Sequence, residues 1–297
     1  MSDHHFVSLA HRSLIAIEGE DRKSFLQGLV SNDVTKAAPD RALYGAFLTP
    51  QGKFLHEFFI AELDGALLLE TDASRRDDFL KRLGLYRLRS KVAIAPAERL
   101  RVFGLIGDDA AAALRLPEEP GAASPLAGGL VMVDPRLPTA GLRAWLPEGG
   151  EAALSAAGFT RAEPTAWDSL RIGLGLPDGS RDLVPEKTLL LESGFDELHG
   201  IDWQKGCYLG QELTARTKYR GLVKKRLMPV EIKGPAPQPG TPVLLGKDEA
   251  GEMRSHAGGR GLAMIRLDAL ERLDKEGAEL HAGAAVLRPR KPDWARF

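Results

Sequence analysis

The chain has 297 residues, of which 43% are hydrophobic and 27% are charged, and its formal net charge is −1. This length and composition are ordinary for a globular protein with one large or two to three smaller packed units. The net charge gives no general attraction to nucleic acid or to an anionic membrane, and no apolar run approaches membrane-spanning length. We therefore expect neither nucleic acid nor membrane among the partners.

The cysteine count and the first residues bear on location. The chain has one cysteine, Cys207, which excludes an internal disulfide and suits a reducing compartment. Residues 1–14 contain an early acid, Asp3, and have neither an apolar core nor an Arg/Ser-rich amphipathic pattern, so no signal or transit peptide is evident. The sequence predicts a bacterial-type cytoplasmic protein, with His4 and His5 as a mobile N-terminal pair.

Strands and helices alternate through the first two thirds of the chain. Strands are predicted at 14–17, 44–48, 54–60, 66–71, 92–94, 100–106, 130–133 and 142–146, and helices at 22–30, 75–85, 108–116 and 167–172. Residues 174–190 read as a long ordered loop, and such loops are often functional. The pattern predicts an α+β fold with mixed and antiparallel sheets, without a Gly-rich phosphate motif.

The pattern changes after residue 222. Short predicted strands separated by Gly/Pro turns follow at 227–232, 242–245, 251–255, 261–267 and 284–287. This spacing is typical of a small antiparallel barrel. We predict a first domain at 1–222, with a subdivision near 147 left open, and a C-terminal β-barrel domain at 223–297.

The most distinctive stretch is Lys205–Arg216, which reads KGCYLGQELTAR. Cys207 lies between Gly206 and Gly210, just ahead of a predicted helix. Unpaired N–H groups, the helix dipole and Lys205 would all favour a thiolate, the form that binds soft metals such as iron. From the residues alone, a buried cysteine that acts as a small hydrophobe is equally open. One thiolate cannot hold a cluster by itself, so a metal site here would need ligands from a partner or a small molecule.

Lys205–Arg216 resembles the signature of the YgfZ family, which are folate-binding proteins related to the T protein of the glycine cleavage system (GcvT). Residues 175–179 (GLPDG), 181–183 (RDL), 191–193 (LES) and 217–230 resemble the branch that contains the mitochondrial-type iron–sulfur cluster maturation factor and its bacterial relatives. The resemblance runs from about Glu18 to the C-terminus. It implies a GcvT-like folate-binding domain followed by the small barrel.

The resemblance also implies a function and a site. It points to an accessory factor in iron–sulfur cluster assembly, in which Cys207 is the essential thiolate and a ligand of a transient cluster shared with an A-type iron–sulfur carrier. Tetrahydrofolate or a derivative would occupy a central cavity with residues 174–190 as one wall. Its candidate contacts are Lys205, Gly206, Tyr208, Gly210, Gln211, Glu212, Arg216, Asn32, Asp33, Arg89, Glu192 and Trp203.

Most of these residues also have an ordinary structural interpretation. Asn32 and Asp33 would end a helix, and Arg89 would be a solvated cation near a helix C-terminus. Trp203 and Tyr208 could be core anchors in place of stacking platforms for a pterin, and Glu192 could be a surface acid.

Two departures from the T-protein pattern affect the choice of function. The segment 52–57 (GKFLHE) has no aspartate where the transferases carry their catalytic acid, and Gly173 stands where they carry a pterin-binding glutamate. Both argue against a glycine-cleavage enzyme and leave a remodelled pocket. The alternatives are a tetrahydrofolate-dependent one-carbon transferase and a folate-binding regulator in which Cys207 is inert.

Overall fold

The computed structural model describes residues 4–297 except the side chains at 274 and 276. Its strands form two open sheets and one closed barrel. The strands are β1 (His5–Ser8), β2 (Arg12–Glu18), β3 (Leu43–Leu48), β4 (Phe54–Leu63), β5 (Ala66–Asp72), β6 (Ala93–Pro96), β7 (Leu100–Ile106), β8 (Ala123–Leu126), β9 (Gly129–Val133), β10 (Leu142–Pro147), β11 (Thr160–Arg161), β12 (Lys225–Lys233), β13 (Pro242–Leu245), β14 (Asp248–Ala257), β15 (Arg260–Arg266), β16 (Leu280–Ala282) and β17 (Ala285–Pro289). The α-helices are α1 (Arg22–Gln27), α2 (Arg76–Tyr86), α3 (Ala110–Ala113), α4 (Glu151–Ala156), α5 (Pro164–Gly173), α6 (Gln211–Tyr219) and α7 (Leu267–Glu276).

The two open sheets share one hydrophobic core. The five-stranded sheet has the order β3-β4-β5-β2-β6 and is antiparallel, whereas the six-stranded sheet, β11-β1-β7-β10-β9-β8, has one parallel pair, β1 with β11. Tyr44 and Phe59 from the first sheet, Trp145 from the second and Trp167 from α5 are buried together. Helices α1 and α2 cover the other face of the five-stranded sheet and bury Phe25, among others.

The last quarter of the chain closes into a barrel with the strand order β12-β15-β14-β13-β16-β17 and a core of its own. Trp294 ties the end of the chain back to the body, because its Nε1 donates to the carbonyl of Leu174 at 2.7 Å. Among the described residues, no helix is both long and apolar enough to cross a membrane. The predicted α+β class with an antiparallel C-terminal barrel is confirmed, while the boundary near 222 stays a prediction.

Local predictions fail at several places. His4 is only 8% exposed with its Nε2 2.7 Å from the Asp108 carbonyl oxygen, and His5 opens β1, so this pair is not a mobile tail. The helix predicted at 108–116 forms only at α3, because Asp109 (φ 60°) and Arg115 (φ 57°) take left-handed conformations on either side of it. Helix α7 was not predicted at all.

Candidate functional site

Cys207 lies in an irregular loop three residues before the N-cap of α6, Gly210, and its side chain is exposed. It therefore does not pack as a small buried hydrophobe. Gly206, next to it, has φ +72°, and a Cβ added there would meet no atom within 4 Å. The flanking residues Lys205 and Tyr208 are only 6% and 8% exposed, so the loop turns one thiol outward between two buried side chains.

Lys205 fixes the start of this loop. Its Nζ donates to the carbonyl oxygens of Gln27 at 2.9 Å, Val30 at 2.5 Å and Asn32 at 2.7 Å. Burial lowers the pKa of Lys205 to about 8, against the opposing effect of two nearby carboxylates, Asp33 and Asp202. All three ammonium hydrogens have acceptors in the backbone, so Lys205 has a structural role, and its roles as a folate contact and as the cation beside the thiol stay predictions.

The end of the loop is fixed as firmly. The backbone N–H of Leu209 donates to the carbonyl of Gly28 at 3.0 Å. Gly210 has φ +81°, and a Cβ there would lie 2.5 Å from the carbonyl oxygen of Thr49 and 3.0 Å from Cα of Gly52. Only glycine permits this contact with the turn after β3, so Gly210 is a packing residue.

The rest of the signature divides into buried and exposed side chains. Tyr208 belongs to the main core, and burial raises its pKa to about 12, so it is not a free stacking platform. Gln211 accepts from the N–H of Tyr208 at 3.2 Å through its Oε1. Glu212 and Arg216 are exposed along α6. The structure therefore brings neither Tyr208 nor Gln211 into an open cavity.

Asn32 and Asp33 mainly order the turn after α1. Asn32 Nδ2 donates to the carbonyls of Tyr44 and His199, both at 2.7 Å, and its Oδ1 accepts from the N–H of Asp33. Burial raises the pKa of Asp33, but hydrogen bonds from Thr35 and Gln27 and the charge of Lys36 together outweigh it and leave the pKa below its usual value. The helix-ending interpretation of these two residues thus accounts for all of these contacts.

A cavity of about 700 Å³ opens beside this turn, and we call it the Trp203 cavity. Its lining residues are Asn32, Lys36, Arg41, Ala42, Leu43, Tyr44, Glu119, Pro120, Pro135, Asp196, His199, Ile201, Asp202, Trp203 and Gln204. Trp203 Nε1 donates to Asp196 at 2.5 Å, and the ammonium of Lys218 lies 3.9 Å from the centre of its ring. Lys36 donates to Asp202 at 2.5 Å, whereas Arg41 has no carboxylate partner among the described side chains.

Sequence reasoning found Asn32 and Trp203 in this cavity but missed its charged residues. Lys36, Arg41, Asp196 and Asp202 come from two segments more than 150 positions apart, and no local motif marks them. The adjacency of Asp202 to Trp203 was the one available signal. Gln204 also lines the cavity, and it precedes Cys207 by three residues, so their Cα atoms are at most about 11 Å apart.

Two predicted folate contacts lie elsewhere. Arg89 lines a separate cavity of about 670 Å³ with Asp21, Ser24, Phe25, Leu88 and Ser90. Glu192 lines a groove against the barrel, where burial raises its pKa and Lys225 lies 3.8 Å away. Neither shares a cavity with Trp203, so the structure does not support them as contacts of one folate.

The loop 174–190 contributes no residue to the lining of the Trp203 cavity. Two of its acids point into the interior. Asp178 accepts from Arg12 Nη1 at 3.0 Å, and Asp182 accepts from Arg171 Nη1 at 2.7 Å. They join a buried set of ion pairs between the sheets that we call the interior charge cluster, which consists of Arg12, Glu57, Glu70, Asp134, Arg136, Arg143, Arg171, Asp178 and Asp182.

Glu57 is the one acid in the segment where the transferases carry their catalytic aspartate. It is 2% exposed and accepts from Arg12 Nη1 at 2.5 Å, and burial raises its pKa despite that cation. The segment thus offers no accessible carboxylate, and the one-carbon transferase alternative gains no support from it. Among the side chains that the structure describes, no group of three or more His, Cys, Asp and Glu residues is arranged to hold a metal ion.

Comparisons with known proteins agree on fold and family. Residues 224–297 match the family described as "CAF17, C-terminal beta-barrel domain". The human protein named "Iron-sulfur cluster assembly factor IBA57, mitochondrial" is 34% identical over 95% of this chain and 83% of its own length, and the mouse protein of that name is 31% identical over the same shares. The structure also matches the glycine cleavage system aminomethyltransferase T from Bartonella henselae, with a TM-score of 0.78, 17% identity, and coverage of 99% of this chain and 87% of that one. That last match supports the predicted GcvT-like fold.

The same relatives correct the predicted location. Both are named as mitochondrial, which contradicts the cytoplasmic location that we predicted from the sequence. The prediction failed because a single reduced cysteine fits any reducing compartment and therefore cannot distinguish one from another.

Proposed function

The chain belongs to the IBA57 family of iron–sulfur cluster assembly factors, and from that premise we propose that it serves cluster assembly and binds the cluster as cargo through Cys207. In this proposal an A-type iron–sulfur carrier supplies the other ligands, so that the cluster is shared between two proteins. The observation that carries the proposal is the position of Cys207, the one cysteine of the sequence, exposed on a loop that is fixed at both ends.

The chemistry of the loop supports a shared cluster. Cysteine thiolates are the usual ligands of iron–sulfur clusters, and four ligands are normally needed. Cys207 can offer one, and the described part of the chain has no group of metal-ligating side chains that could complete the set. Its exposure leaves room for a partner, and a backbone already held in place reduces the entropy lost on binding.

Anaerobic mixing with a cluster-loaded A-type carrier tests this proposal. Size-exclusion chromatography with visible absorption would follow wild type and Cys207→Ser, a variant that changes only sulfur to oxygen. We expect a coloured complex with wild type and none with the variant. A coloured complex with both proteins, or with neither, would contradict Cys207 as the shared ligand.

We further propose that the Trp203 cavity binds a reduced folate. Its volume of about 700 Å³ suits a ligand of that size. Trp203 offers a ring for the pterin, and Arg41, which has no carboxylate partner among the described side chains, offers a cation for the glutamyl carboxylate. When bound, tetrahydrofolate would supply a carrier of one-carbon units.

Calorimetric titration with tetrahydrofolate under anaerobic conditions tests the folate proposal. Arg41→Gln should weaken binding at least about tenfold, since a hydrogen bond between charged groups is lost. Arg89→Gln is the matched control, because Arg89 lines a different cavity and should leave the affinity unchanged. Equal losses in both variants, or no binding by wild type, would argue against this site.

A further inference from the structure

We propose that Lys205 is a positioning residue for Cys207: its ammonium holds the loop that presents the thiol by saturating the carbonyl groups at the end of α1. The role differs from folate contact and from direct contact with the thiol. The last link, from a fixed thiol to cluster binding, rests on the function proposed above.

The donors of the Lys205 ammonium and their acceptors match in number. An ammonium group has three N–H donors and no acceptor. The Lys205 ammonium donates to three carbonyl oxygens, those of Gln27, Val30 and Asn32, at 2.5 to 2.9 Å. Its side chain is 6% exposed, with the Tyr208 ring centre 5.2 Å from Nζ. A side chain with all its donors engaged in a buried place is a fixed point of the structure.

The acceptors lie at and just after the end of a helix, in a buried place. Gln27 is the last residue of α1, and the carbonyls at a helix C-terminus lack partners within the helix and carry partial negative charge. Val30 is fully buried and Asn32 is 9% exposed, so water gives these carbonyls little compensation. A buried cation is the group best suited to this place, and removing it would leave several buried acceptors unpaired.

The thiol lies between two anchors that bind one segment. Lys205 binds the carbonyl of Gln27, and the N–H of Leu209 binds the carbonyl of the next residue, Gly28. The stretch 205–209 is thus attached at both ends to adjacent residues of the α1 terminus, with Cys207 at its middle. The thiol is exposed, yet its backbone has little freedom, which is the arrangement of a preorganised ligand.

Hydrogen exchange of wild type gives the first test. The Leu209 amide, which donates to Gly28, should be protected to the extent of amides in α6, whereas the Gly206 and Cys207 amides should exchange rapidly. If Leu209 exchanged as fast as Gly206, the loop would not be anchored and the proposal would be overturned. This measurement needs no variant, so it stands even if substitutions at 205 prevent folding.

Variants give the second test. Lys205→Met keeps the length of the side chain and removes its donors, Lys205→Arg keeps the charge with a planar set of donors, and Lys81→Met removes an exposed lysine on α2 as the control. Lys205→Met should raise exchange at Leu209 at least about tenfold, because the opened loop becomes more populated. Lys205→Arg should lie between wild type and Lys205→Met, and Lys81→Met should match wild type.

Binding of the cluster-loaded A-type carrier gives the third test. Lys205→Met should weaken the coloured complex about tenfold while exchange in the barrel strands stays at the wild-type rate. Unchanged exchange at Leu209, or an equal rise throughout the barrel, would overturn the positioning role. If wild type formed no complex, the proposed function would fail, while exchange at Leu209 would still decide whether Lys205 holds the loop.

Discussion

The polar groups of the interior charge cluster and those of the Cys207 loop have different kinds of hydrogen-bond partner. In the cluster, side chains pair with side chains: Glu70 is fully buried and accepts from Arg12 at 2.9 Å, from Arg143 at 3.0 Å and from Trp145 at 2.7 Å. In the loop, Lys205 and Leu209 pair with backbone carbonyls and leave the Cys207 thiol exposed.

The comparison teaches that buried charge does not by itself locate a functional site. The interior cluster contains buried ion pairs between the sheets, and these charges have their partners inside the protein. The loop keeps one reactive group exposed for a ligand or a partner. Variants in the two regions test this division, and the buried His56, which belongs to neither, provides a third case; the expected effects run from the largest to the smallest.

The largest effect should come from Glu70→Gln. Removing the charge leaves Arg12 and Arg143 without their shared carboxylate, and breaking a buried ion pair costs about 3–5 kcal/mol. Urea unfolding would measure the loss. Asp64→Asn, which breaks an exposed pair with Arg99, is the control and should cost less than about 1 kcal/mol. If the two variants lost equal stability, the interior cluster would not have the structural role that we assign to it.

A smaller effect should appear as pH dependence at His56. Burial, and then the charge of Arg75, lower the pKa of His56 to about 3, while its ring stacks on Phe79 at 4.4 Å between centroids. The unfolded chain binds this proton near pH 6.5 and the folded chain does not, so stability is lost as pH falls from about 6.5 towards 3. Between pH 7 and pH 5 this loss should be about 2 kcal/mol.

The test of that pH effect is a series of urea unfolding curves for wild type and His56→Phe. The variant cannot take up the proton, so its stability should fall about 2 kcal/mol less than that of wild type over the same range. Parallel pH profiles for the two proteins would show that His56 does not stay neutral in the folded state.

Two glycine variants probe the loop anchor. Both Gly206 and Gly210 have positive φ, so alanine at either position costs about 1 kcal/mol in backbone strain. Only at Gly210 would the new Cβ meet backbone, with Thr49 O at 2.5 Å, whereas at Gly206 it would meet nothing within 4 Å. Gly210→Ala should therefore be less stable than Gly206→Ala by on the order of 1–2 kcal/mol in urea unfolding. Equal losses would mean that Gly210 does not anchor the loop.

The smallest change in stability should come from Cys207→Ser. The side chain is exposed, so its substitution should change the free energy of unfolding by less than about 0.5 kcal/mol. Thermal unfolding of both proteins would measure it. A large loss would indicate that the thiol has a structural role, and it would weaken the contrast between the two regions.

Much of the fold was predictable because its signals are local. The mostly apolar runs at 44–48 and 54–60, separated by turn residues, identified β3 and β4, and the close spacing of short strands after 222 identified the barrel. Helix α7 shows how a readable pattern can be missed, because Leu267, Leu270 and Leu273 have helical spacing but follow directly on β15.

The site was less predictable because its contacts are distant in sequence. The glycines around Cys207 marked an unusual loop, but nothing near Lys205 indicates that its partners are carbonyls at 27–32, more than 170 positions away. Arg41 and Trp203 line one cavity only because the fold brings their segments together. Asp178 and Asp182 lie in a loop, and only the structure shows that they pair with Arg12 and Arg171.

The central claim, that Cys207 is a cluster ligand, can be tested by isotope labelling, because the chain has one cysteine. Protein grown with cysteine labelled with ¹³C at Cβ would be mixed with an unlabelled, cluster-loaded A-type carrier, and the reduced cluster would be examined by electron–nuclear double resonance. The account predicts a ¹³C hyperfine coupling from the single labelled carbon. A complex whose cluster shows no such coupling would contradict it.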